Sequence, residues 1–208
     1  KDLRRKFKKR KKLRNPMSEF DKYFQISINE HKDAVTLMEQ KYRNTVFSAA
    51  EVITGTLSSG GRIYICGNGG SAADAQHIAA ELAGRFQRDR IALPAVALTT
   101  DTSLISSIGN DFGFESVFSR QVEALASEKD LLWCISTSGS SLNILRAAQT
   151  AKEKSVSLLA FTGKKGSELE KISDICLCTE NSVTARSQEI HQLAYHIICG
   201  LVEDYFAE

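Results

Sequence analysis

One stretch, Arg62–Glu81 (RIYICGNGGSAADAQHIAAE), constrains the fold of this chain more than any other. Ile63–Cys66 is a short apolar block, the pattern of a strand covered on both faces. It runs into Gly67-Asn68-Gly69-Gly70, where glycine lets the backbone turn sharply and approach a ligand closely. Ser71 is placed to cap the helix that follows, and the free N–H groups of a helix N-terminus favour an anion. His77 and Glu81 stand four residues apart, on one face of that helix. Strand, glycine turn and a helix with two polar groups on one face make a βα unit with a site for a phosphorylated small molecule.

The rest of the chain repeats the unit. Apolar blocks predict strands at Arg62–Cys66, Ala95–Leu98, Leu131–Ser136, Ser157–Phe161 and Ile175–Thr179. Helical periodicity fills the intervals at Ser71–Phe86, Thr102–Gly109, Phe114–Ala126, Leu142–Lys154 and Ser167–Ile172. A last helix, Ala185–Phe206, carries the stripe Ile190, Leu193, Ala194, Ile197, Ile198, Leu201 and Val202. Alternating β and α segments imply a parallel sheet with helices on both faces. The fold expected is α/β: a three-layer, doubly wound, five-stranded parallel sheet in flavodoxin-like order. Ligands bind such sheets at the carboxyl ends of strands 1 and 3, where the winding reverses. Ahead of the first strand, Ser18–Leu57 forms a helical preface, as two helices or one broken one. Its apolar positions include Phe20, Phe24, Ile28, Met38, Tyr42, Val46 and Ile53, and Ser58-Ser59-Gly60-Gly61 ends it. A preface of this length packs either across a subunit interface or on its own domain.

Charge separates one end from the rest. The net charge of +2 hides ten Lys/Arg and one Asp within residues 1–16, so the remainder carries a net of −7. The basic segment 1–16 is expected to be a disordered or non-native extension, with Met17 the natural start and 17–208 a single domain. Nucleic acid or an anionic membrane surface would engage only that segment. No apolar run approaches the roughly 18–20 residues that span a bilayer. The five cysteines, Cys66, Cys134, Cys176, Cys178 and Cys199, form no CxxC pair. Buried reduced thiols in a cytoplasmic protein are the expectation.

Several motifs carry chemistry, each beside a blander reading. Gly67-x-Gly69-x-x-Ala72 matches a relaxed dinucleotide fingerprint, but no acid ends a strand about 20 residues on. The run Ser136-Thr137-Ser138-Gly139-Ser140-Ser141 falls at the end of the third strand. Hydroxyls and backbone N–H groups at a helix N-terminus can surround a phosphate, and capping alone uses only one or two of them. Lys164-Lys165-Gly166-Ser167 lacks the upstream spacing of a Walker A loop and reads as a turn. His77 and Glu81 could be a surface pair. Gln188 and His196 share a side of the last helix about 12 Å apart along its axis. A His77/Glu81/Gln188/His196 set suits zinc or a similar divalent ion, provided the two outer side chains reach toward one point. Asn110-Asp111 either caps the next helix or contacts a sugar hydroxyl.

Together these residues resemble the phosphoheptose isomerases of the sugar-isomerase (SIS) family. The matching pieces are CGNGGSAADAQHIAAELAGR, ALTTDTS, GNDFGFESVFSRQVEAL, ISTSGSSLNIL and QEIHQLAYH. The resemblance implies conversion of sedoheptulose 7-phosphate to D-glycero-D-manno-heptose 7-phosphate, toward a nucleotide-activated heptose for products such as lipopolysaccharide. It implies substrate contacts at Asn68, Gly69, Gly70, Glu81, Asn110, Asp111 and Gln188. Phosphate would be held by Ser136, Thr137, Ser138 and Ser141. One zinc per subunit would sit on His77, Glu81, Gln188 and His196, with Glu81 and His196 moving protons. It further implies a homotetramer with sites built from more than one subunit. Ser140 and Ser187 depart from residues common in similar sequences. A non-catalytic SIS-fold protein that binds the bacterial replication initiator is the alternative. That type has Met and Asn at the positions of Glu81 and His196, so retention of both favours the enzyme.

Overall fold

A computed structural model of the protein describes residues 16–207. The basic segment expected to be an extension therefore lies almost wholly outside the described residues. The chain starts with α1 (Pro16–Leu37), passes through a π-helical turn (Met38–Tyr42) and continues as α2 (Arg43–Ser58). The preface is thus a broken helix, and its two halves behave differently. Val46, Ala49, Ala50, Ile53 and Leu57 of α2 are buried in the domain's own core. Phe20, Tyr23 and Phe24 of α1 are 72%, 74% and 60% exposed. The apolar spacing there does not mark a core in this chain. Among the described residues, α1 is tied down by His31 and Ser27, which bond Glu189 (2.8 Å) and Arg186 (2.6 Å) of the last helix.

Then follow β1 (Ile63–Gly67), α3 (Gly70–Ala83), β2 (Ala95–Ala97) and α4 (Thr102–Phe112). A 3₁₀ turn (Phe114–Ser116), α5 (Ser119–Leu125) and β3 (Leu131–Ser136) come next. The chain closes with α6 (Leu142–Glu153), β4 (Ser157–Thr162), α7 (Glu168–Ile172), β5 (Ile175–Cys178) and α8 (Thr184–Phe206). All pairings are parallel, in the order β2-β1-β3-β4-β5. The expected doubly wound sheet is present, with its reversal between β1 and β3.

Strand alternation divides the core in two. Ile63 and Ile65 face a layer made by α2, α3 and α8, where Trp133, Phe161 and Tyr195 are buried. Tyr64 and Cys66 face a layer made by α4, α5, α6 and α7. The cysteines are free; Cys66, Cys134, Cys178 and Cys199 are buried. Asp130 ties the amino edge of the sheet together, accepting the Arg62 and Ser127 amides at 2.7 Å each. With that edge closed, the two loops at the opposite edge, after β1 and β3, flank the crevice.

Candidate active site

The glycine turn departs from expectation in one detail. Gly69, with φ +56°, is the N-cap of α3, and no side chain caps it. Ser71 lies within the first turn and is 4% exposed, so its hydroxyl does not cap the helix. A positive φ at the cap suits glycine, and it starts the helix earlier than Ser71 would. Asn68 and Asn143 exchange two amide hydrogen bonds of 2.8 Å, tying the glycine turn to the first residues of α6. Asn143 is 3% exposed and also accepts the Ile144 amide. The sequence reading missed Asn143; its only signal was a polar residue two positions after the serine run.

Along α3 the side chains converge on α8. His77 Nε2 stands 2.9 Å from Glu81 Oε1. The His77 and His196 rings lie 5.0 Å apart, edge to face. Donor atoms of His77, Glu81 and His196 all fall within 4.8 Å of one another, and each residue is partly buried. Zinc bonds of about 2.0–2.2 Å require ligand atoms roughly 3.4 Å apart in a tetrahedron, within reach of small side-chain rotations. Two imidazoles and one carboxylate, with a position left open, are the donor set of a catalytic zinc site. These three residues fit a divalent cation.

Gln188 lies on α8, about two turns before His196. Its amide rests on the start of α3, where a Cβ added to Gly70 would come 2.5 Å from Nε2. Since α3 rises about 1.5 Å per residue, the backbones of Gly70 and His77 stand about 10 Å apart along its axis. The separation expected along α8 is matched along α3. His77, Glu81 and His196 meet, and the Gln188 amide reaches the start of the same helix.

Surrounding groups hold the triad. Phe86 stacks on His196 at 5.6 Å. Its amide, with those of Gln87 and Arg88, is accepted by Glu203 at 2.7–2.9 Å. Glu203 is 2% exposed. Burial alone would raise its pKa, but these N–H donors and Arg90 hold it below the ordinary carboxylate value. Arg90 lies 3.6 Å from Glu203 and donates to the Glu81 carbonyl oxygen at 2.6 Å. One buried carboxylate therefore organises the loop that ends α3. The His196 pKa is lowered by burial and then by His77, with Glu81 opposing both. On the remaining side, the Tyr195 hydroxyl stands 3.0 Å from His77 Nδ1.

At the end of β3, Ser136 is 6% exposed, with Ser138 and Ser141 hydroxyls 3.5 and 3.4 Å from its own. Ser141 holds the N-cap position of α6 without a side-chain cap bond, so its hydroxyl is not committed to capping. Beside Thr137 and Ser138 opens a cavity of about 620 Å³, also lined by Lys164, Lys165, Asn181 and Thr184. The Lys164–Gly166 turn thus brings two cations to the same mouth. Ser187, which departs from similar sequences, is fully buried and satisfied, accepting from Thr179 at 2.9 Å and donating to the Asn181 carbonyl. Asn110 and Asp111 bond each other at 2.8 Å within the last turns of α4. They are not a linker between helices, and they do not cap the next one, because α4 runs on to Phe112.

Fold and site define the class: a doubly wound α/β protein with a hydroxyl-rich loop after β3 and a triad that could hold a metal ion. Comparison with known proteins agrees. Residues 28–163 match the SIS domain family. A phosphoheptose isomerase 1 of Campylobacter jejuni is 50% identical over 177 residues, covering 85% of this chain and 95% of that protein. A solved phosphoheptose isomerase of Neisseria gonorrhoeae superposes with TM-score 0.81 at 39% identity, over 91% of this chain and 100% of that one. One from Francisella tularensis gives 0.83 at 34% identity, over 91% and 99%. The chain belongs to the SIS-domain family, among its phosphoheptose isomerases.

Proposed function

We propose that this protein is an isomerase converting sedoheptulose 7-phosphate to D-glycero-D-manno-heptose 7-phosphate, the first step toward nucleotide-activated heptose. The observation that carries the proposal is the meeting of His77 and Glu81 with His196 at the seam of α3 and α8. The shared name of the relatives points to the substrate class.

In this reading the phosphate is bound by Ser136, Thr137, Ser138 and Ser141 with the N-terminus of α6. Asn68, Gly69, Gly70 and Gln188 contact the sugar, as do Asn110 and Asp111. The Glu81 carboxylate takes a proton from C1 of the ketose and returns it to C2 of the enediol. His196 carries the matching proton between O1 and O2. Zinc, one per subunit, would be held by His77, Glu81 and His196, with Gln188 as the fourth ligand. When bound, the ion supplies stabilisation of negative charge developing on the sugar oxygens. Remote phosphate binding anchors the substrate for that step.

The exposed apolar residues of α1 support a homotetramer in which this face is covered. Among the described residues, no helix is long and apolar enough to cross a membrane. We place the reaction in the cytoplasm and its product on the way to lipopolysaccharide.

A coupled assay with sedoheptulose 7-phosphate tests the reading. Glu81→Gln should lose about 10²–10⁴-fold in turnover with an unchanged far-UV spectrum. Chelation should abolish activity and zinc restore it. Failure of zinc-loaded wild type to convert the substrate would favour the non-catalytic, initiator-binding alternative.

A further inference from the structure

Tyr195 lies on α8 beside His196 and is fully buried, yet its hydroxyl crosses to α3. It stands 3.0 Å from His77 Nδ1 and 3.5 Å from Asp74 Oδ1. Asp74 precedes His77 by three residues, so the two share one face of α3, a turn apart. The Tyr195 ring packs edge-on against both histidines, 5.5 Å from His77 and 4.7 Å from His196. His77 therefore has both nitrogens engaged: Nε2 with Glu81 at 2.9 Å, and Nδ1 with Tyr195.

A phenolic hydroxyl both donates and accepts, which suits two states of the imidazole. With no cation, Nε2–H donates to Glu81, and Nδ1 accepts from the Tyr195 hydroxyl. With a cation on Nε2, a neutral imidazole must carry its proton on Nδ1. That proton then points at the Tyr195 oxygen, and the hydroxyl turns its own proton to Asp74. An ionised carboxylate in the same place accepts only, and could serve the second state but not the first.

We propose that Tyr195, backed by Asp74, is a positioning residue that sets the orientation and tautomer of His77 and so tightens the His77–Glu81–His196 site for a divalent cation. The proposal rests on the metal-site reading above. Partners of a ligand histidine's second nitrogen typically govern metal affinity by 10–100-fold.

The test uses the full chain, stripped of metal and titrated with zinc against a chromophoric chelator. Tyr195→Phe keeps the buried ring and removes only the hydroxyl. It should weaken zinc binding by about 10–100-fold. In the zinc-loaded wild type, the His77 Nδ1 proton should exchange slowly and give a downfield ¹⁵N-coupled signal. That signal should vanish in the variant, a change that a merely structural role for the ring would not cause. Asp74→Asn, which spares the ring, should weaken binding in the same direction and carries the test if the Phe variant fails to fold. Zinc affinity unchanged in the folded variants overturns the proposal. A wild type that binds no zinc overturns the metal reading beneath it, a result distinct from wild type and variants binding alike.

Discussion

His191 should make this protein lose stability between pH 7 and pH 5 in a way a single substitution removes. The residue is fully buried on α8, with Nε2 3.1 Å from the Thr162 carbonyl oxygen and the ring 5.3 Å from that of Phe161. Nδ1 has no partner, so a second proton there would put an uncompensated cation against an aromatic ring. Burial, opposed only by the Thr162 bond, lowers the pKa from 6.5 to about 4. A depressed histidine pKa means that the unfolded chain takes up the proton first. The stabilisation is whole above pH 6.5 and is lost as pH falls toward 4. At 1.36 kcal/mol per pKa unit the full effect is about 3 kcal/mol, of which about 2 kcal/mol is gone by pH 5. Gln in place of His191 can still donate to Thr162 and never titrates. Urea unfolding of wild type and His191→Gln, metal-free and at one protomer concentration, should show wild type losing about 2 kcal/mol more between pH 7 and pH 5. The comparison cancels Glu203, whose depressed pKa weakens both proteins in acid. Equal losses in the two proteins, or an imidazole signal of His191 that titrates near 6.5, would refute the reasoning.

Two further outcomes follow from buried polar groups. Asn143→Ala leaves the Asn68 amide without its partner. It should cost about 1–3 kcal/mol in chemical denaturation and raise KM more than it lowers kcat, because the glycine turn loses its tie to α6. Glu203→Gln keeps the shape but removes the charge that serves three backbone amides and Arg90. It should cost about 3–5 kcal/mol and speed hydrogen exchange at Phe86, Gln87 and Arg88; protection unchanged at those amides would show that the loop is held by other means.

Much of the architecture was legible in the order of residues. Ile63–Cys66 and Leu131–Ser136 are continuous apolar blocks because parallel strands are covered on both faces, and that pattern survives without knowledge of partners. The glycine turn and the serine run are local devices whose chemistry lies within six residues, so their place at the β1 and β3 ends could be anticipated. Other features were not local. Phe20 and Phe24 read as part of an apolar helix face that would pack across a subunit interface or on its own domain, and spacing cannot say which. Ser71 read as a cap, but backbone geometry gave the position to Gly69.

The sequence by itself determined a five-stranded doubly wound sheet, a crevice flanked by a glycine turn and a serine-rich loop, and a pair of polar groups on one helix. Those follow from periods of two and 3.6 residues and from the conformational range of glycine. Only the tertiary structure decided which side chains meet. It joined His196 to His77 and Glu81 and laid the Gln188 amide on the start of the same helix. It also brought the hydroxyl of Tyr195, an aromatic outside the apolar stripe of the last helix, within 3.0 Å of His77. The physical reason is the packing of α3 beside α8: two helices more than a hundred residues apart meet at one axial level, and no periodicity within either encodes that level.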